Sequence, residues 1–165
     1  MRRHFVRDME WCSEWDPDDS IVHYYPPQIS RRKPAWIEDG GIPASQLGLL
    51  NEIYEALHND SPRLAAMGVR SLIENVMIEK VGDQGGFGKN LQEFLDRGWI
   101  SMKKEEVLSK IIEAGHAATH RNFEPSTDDL NTLMDIAESL LADVYVHPQR
   151  GVTLGGKIPP RPAKR

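Results

Sequence analysis

Apolar side chains between residues 43 and 146 recur at spacings of three and four, the period of one helical face. No segment there alternates with the period of two that marks a half-buried strand. Leu47, Leu50, Tyr54 and Leu57 form the first stripe, opened by Pro43, whose fixed φ suits a first helical turn. The break at Asn59-Asp60-Ser61-Pro62 predicts a restart, with Ser61 as N-cap and Pro62 at the first helical position. A second helix over 62–80 carries Leu64, Met67, Val69, Leu72, Ile73 and Val76, apolar around most of its circumference, as the central helix of a bundle is. A short third helix with Phe87, Leu91, Phe94 and Leu95 follows a glycine loop and ends at Gly98. A fourth carries Val107, Leu108, Ile111 and Ile112 and runs into Gly115-His116-Ala117-Ala118-Thr119-His120-Arg121. The last starts at Ser126, which stands three residues before Asp129 in capping-box spacing, and is expected to stop at Pro148.

Five helices on short connections predict an all-α, mostly antiparallel bundle over 43–146. Residues 1–42 break the pattern. They hold Trp11, Trp15 and Trp36 with several prolines, and predict an irregular arm laid on the bundle by its aromatics, with one short strand at 21–25. Residues 147–165, with Gly155-Gly156 and Pro159-Pro160, predict an extended tail. The whole, 165 residues, is the size of one domain that folds without disulfide or metal.

Charge divides along the same lines. The net charge of −5 combines an arm at −2, a body at −8 and a tail at +5. An acidic body lacks the clustered Lys and Arg that phosphate contacts need, so a protein partner is expected before RNA. The single cysteine, Cys12, leaves no internal disulfide and suits a reducing cytoplasm. Neither a secretory leader nor an apolar run of the roughly 18 residues a membrane span needs is expected.

Four groupings could carry chemistry. His116 and His120 lie one helical turn apart and face the same way, but Ala117 stands where a zinc-protease motif has glutamate and no third ligand follows, so no metal is expected. His4, Cys12 and His23 form a looser set with the same expectation. The loop at 82–89 resembles a phosphate loop only superficially, since no Gly-Lys-Ser/Thr closes it and no cofactor is implied. Arg70 and Glu74, at i and i+4 on the most apolar helix, are expected to form either a partly exposed ion pair or a buried pair in a structural polar network.

The run 64–74, then Val81-Gly82-Asp83, then Gly115-His116-Ala117-Ala118-Thr119-His120, then the final amphipathic helix resembles the family catalogued as domain of unknown function 4145 (DUF4145). Tyr25-Pro26-Pro27 and Arg32-Lys33-Pro34-Ala35-Trp36 look like the arm that often precedes it, so the resemblance covers about 21–147. That family looks related to the HEPN group of helical bundles, whose members work in bacterial defence, toxin–antitoxin and RNA-processing settings. Many pair through helices bearing an Arg-x(4–6)-His motif, which in active members cleaves RNA without metal. The resemblance therefore implies a HEPN-like bundle, a homodimer and a defence-type setting. It places His120 at the motif histidine, His116 at the polar residue after the arginine, and Gly115 at the arginine itself. Histidine suits a base near neutral pH and arginine suits a developing phosphorane charge. With glycine at the arginine position, a non-catalytic interaction and dimerisation module is expected. The alternative is a metal-independent endoribonuclease in which Arg121, Arg70 or an arginine of a second subunit supplies the charge.

Overall fold

The computed structural model describes residues 31–38 and 40–159, together with the backbone of two three-residue strands. The strands, β1 (His4–Val6) and β2 (His23–Tyr25), pair antiparallel with Phe5 opposite Tyr24, so the extended stretch expected at 21–25 has a partner. A 3₁₀ turn, Ala35–Ile37, precedes the helices. These are α1 (Ala44–His58), α2 (Pro62–Val81), α3 (Phe87–Asp96), α4 (Met102–His120), α5 (Thr127–Leu141) and α6 (His147–Gly155).

The predicted caps are met unevenly. Ser126 accepts from the Asp129 amide while the Asp129 carboxylate accepts from the Ser126 amide, a complete capping box at the start of α5. Those Ser126 hydrogen bonds, side chain first, hold the Asp129 carboxyl below its usual range. Ser61 stands at the N-cap of α2, yet its hydroxyl turns back to the Asn59 carbonyl at 3.4 Å.

α2 lies at the centre and touches α1, α3, α4 and α5. Val69, Ile73, Val76 and Met77 are fully buried there, as its all-round apolar pattern predicts, while Leu64 and Met67 in its first turns remain exposed. α2 and α4 run antiparallel: Arg63 bonds Glu124 beyond the end of α4, and Gly115 packs on Ala66 and Arg70. Trp99 stacks on Phe94, centroids 5.9 Å apart, and Ile100 is buried, which fastens the α3–α4 connector to the core.

Pro148 does not stop the last helix. Residues Ala142–Val146 widen into a π turn in which the His147 amide donates five residues back, to the Ala142 carbonyl. The extra residue accommodates a proline that lacks an N–H and whose ring crowds the preceding turn, so the rod continues as α6. The start of the expected extended tail is therefore helical through Gly155, and no residue of α6 is buried. Among the described residues five helical rods result, the fifth broken by a π turn.

Candidate functional site

The motif residues of α4 divide between two faces. Leu108, Ile111, Gly115 and Ala118 are buried, whereas His116, His120 and Arg121 are exposed. The imidazole rings of His116 and His120 stand 4.6 Å apart, tilted by 49°. Arg121 Nη2 lies 3.4 Å from His116 Nδ1 and also ion-pairs with Glu113. That arginine holds the Glu113 carboxyl below its ordinary range, by hydrogen bond first and by charge second. The chain thus gathers Glu113, His116, His120 and Arg121 into one solvated cluster. Among the described residues no three His, Cys, Asp or Glu side chains stand close enough to share a metal ion. The His4, Cys12 and His23 set lies outside the described side chains.

Gly115 has a structural reason to be glycine. A Cβ there would lie 2.7 Å from Arg70 Cβ and 3.2 Å from the Ala66 carbonyl oxygen. α2 and α4 approach through this gap, and the Thr119 hydroxyl donates to the Gly115 carbonyl at 2.9 Å.

Arg70 and Glu74 do not pair. Arg70 extends over the Phe87 ring, 5.7 Å from its centroid, and its Nε is buried with no acceptor among the described residues. Both forms of the expected Arg70–Glu74 ion pair are corrected: the two residues share no hydrogen bond or salt bridge, because the arginine follows the aromatic face of α3 instead. The 82–86 loop is a turn, with Gly82, Gly85 and Gly86 at φ of 79°, 81° and 139° and the Gln84 amide donating to the buried Asn90 side chain.

On another side of α4 from the histidines, α4 and α5 border an apolar groove of about 320 Å³ lined by Val107, Ile111, Ala114, Phe123, Leu133 and Ile136, with Lys110 and Asp129 also on its walls. Val107 and Phe123 are exposed there.

Pattern reading missed a second polar centre, on the opposite side of α5. Glu138 is 7% exposed and accepts from the Tyr54 hydroxyl at 2.6 Å, Arg31 Nε at 2.9 Å and Arg31 Nη2 at 2.7 Å. Arg31 also reaches Asp135 at 2.7 Å and the Asn131 carbonyl at 3.3 Å. One signal was available: Glu138 follows Met134 by four and precedes Leu141 by three, so a carboxylate interrupts an apolar stripe. Burial, with the Glu138 carboxylate adding to it, pushes the Tyr54 phenol above its ordinary range. A phenol raised on folding contributes stability that is complete below pH about 10 and is lost as pH climbs beyond. Melting temperatures between pH 8 and 11 should therefore fall more steeply above pH 10 for the parent chain than for Tyr54→Phe. Parallel curves would show that this phenol carries no alkaline sensitivity.

Residues 51–157 match the family model described as domain of unknown function (DUF4145). The chain belongs to the DUF4145 family. The matched region starts inside α1 and extends through α6, so the family domain includes the helical start of the tail and leaves residues 31–37 outside. Both motif histidines, Gly115, Glu138 and Tyr54 fall within it. No curated protein and no solved structure matches the chain. Among the described residues, no helix of this DUF4145 protein is long and apolar enough to cross a membrane.

Proposed function

We propose that this DUF4145 chain is a non-catalytic helical module that pairs with a second copy through the exposed face of α4. The carrying observation is Gly115. The position that corresponds to the motif arginine is filled by the α2–α4 contact, so the guanidinium that would stabilise a phosphorane has no place there. The apolar groove between α4 and α5, with Val107 and Phe123 exposed, supports docking of a protein surface at α4. A HEPN-like relationship and a defence or toxin–antitoxin setting accompany this reading on resemblance alone, and a cytoplasmic location on the single cysteine, Cys12.

Endoribonuclease activity is the second reading. The close pair His116 and His120, with Arg121 beside them, supports it, since an imidazole base and a guanidinium are what metal-free cleavage of a ribose phosphodiester uses. One set of measurements separates the two. Light scattering at micromolar concentration should give a dimer that Val107→Glu and Phe123→Glu weaken at least tenfold. Structured and single-stranded RNAs incubated in EDTA should stay intact. A monomer refutes pairing, and RNA cleavage that His120→Ala abolishes transfers the conclusion to the enzyme.

A further inference from the structure

The contacts around Arg31 have the form of a recognition site whose occupant comes from elsewhere in the chain. The site is assembled by helices alone: Tyr54 on α1 holds the Glu138 carboxylate of α5 at 2.6 Å, with Asp135 and the Asn131 carbonyl on the same helix. Into it goes a planar fork. Nε and Nη2 bind the two oxygens of Glu138, Nη2 also reaches Asp135, and Nη1 donates to Asn131. A lysine ammonium, a single point charge, cannot satisfy this directional set. Two further contacts fix the segment that delivers the arginine: His58 Nε2 donates to the Arg31 carbonyl at 3.1 Å, and Lys33 Nζ to Asn51 at 2.7 Å.

Two observations separate occupant from site. Asn51, Tyr54, His58, Asn131, Asp135 and Glu138 all belong to the family-matched region, whereas Arg31 precedes it. The segment joins α1 through Gly40 and Gly41, at φ of 84° and 102°, a backbone region that glycine adopts freely and other residues rarely do. We propose that the α1–α5 face is an arginine-binding socket and that 31–38 is its tethered occupant, so that the partner it accepts in trans is a polypeptide segment carrying an arginine. The bound form seen here is the self-occupied one. This surface lies away from the α4 groove, and neither reading depends on the other.

A labelled peptide spanning 31–38, titrated by fluorescence anisotropy, tests the socket. The full chain carrying Arg31→Ala and Trp36→Ala, which removes the arginine and the half-buried ring by which its own segment packs on the core, should bind the peptide at least tenfold more tightly than the parent chain. Changing Arg31 to lysine in the peptide, or adding Glu138→Gln to the chain, should remove at least tenfold of that affinity. If the double variant does not melt cooperatively, the Arg31→Ala chain takes its place. Absence of binding to the vacated chain overturns the proposal, as does equal binding by the parent chain or by the lysine peptide; either of the last two would reduce Arg31 to a structural ion pair.

Discussion

Glu138→Ala should lower the unfolding free energy by about 3 kcal/mol, because it removes the buried partner of a largely buried ion pair, leaving Arg31 with the exposed Asp135 and Tyr54 without its acceptor. The side chain of Arg31 is 15% exposed and its main acceptor is this carboxylate. Tyr54, 1% exposed, would lose the only acceptor its hydroxyl has among the described residues. A buried hydroxyl without a partner costs about 1–3 kcal/mol, part of the same total. At about 2–4 °C per kcal/mol for a chain of this size, the melting temperature should drop by about 10 °C in differential scanning calorimetry. Tyr54→Phe, which deletes donor and desolvation cost together, should lose about 1 kcal/mol. A drop under 2 °C for Glu138→Ala would mean that the contact between the 31–38 segment and the bundle adds little to stability.

The second large effect concerns the motif position. Gly115→Arg puts an arginine at the position that the proposed HEPN-like reading assigns to the motif arginine, and it should destabilise the bundle by at least about 3 kcal/mol without producing ribonuclease activity. The obstacle begins at the first side-chain atom. The Ala66 carbonyl that a Cβ would approach is backbone of α2, and Arg70 Cβ is anchored to the same helix, so α2 and α4 would have to separate. Gly115→Ala should also destabilise, against the gain of about 1 kcal/mol that alanine brings to an open helix interior. Gly48, in α1, supplies the contrast, since among the described residues nothing lies within 4 Å of where a Cβ would sit: Gly48→Ala should gain about 0.5–1 kcal/mol. Urea denaturation of the three variants measures both signs. If Gly115→Ala stabilised as much as Gly48→Ala, the close α2–α4 approach would be wrong. If Gly115→Arg cleaved RNA, the explanation of the missing arginine would be wrong with it.

The helices were legible because their signals are local. A capping box needs only Ser126 and Asp129 three residues apart, and the breaks at Pro62 and Gly98 act through φ and a missing or permissive side chain. Pro148 misled for the complementary reason. Its local effect is to end a helix, and the π turn before it absorbs the misfit while burying Val144, Tyr145 and Val146 against the bundle. The family was readable from the order of motifs from residue 64 to the final helix, which the match to residues 51–157 bears out, while the arm motifs at 25–36 lie outside that match.

Arg70 shows where spacing ceases to decide. An i,i+4 partner was present in Glu74, yet a ring on another helix took the guanidinium. For Glu138 the sequence presented a charge inside an apolar stripe but not its partners, Tyr54 on α1 and Arg31 before the helices, both far away along the chain. Residue periodicity by itself determined the helical class, the helix borders that caps and glycines set, and the histidines sharing one face of α4, since each depends on neighbours within about a turn or two. Only tertiary structure decided which polar groups meet, why residue 115 must be small, and where the chain continues past Pro148. Those outcomes depend on how closely separate helices pack, and no local spacing encodes that distance.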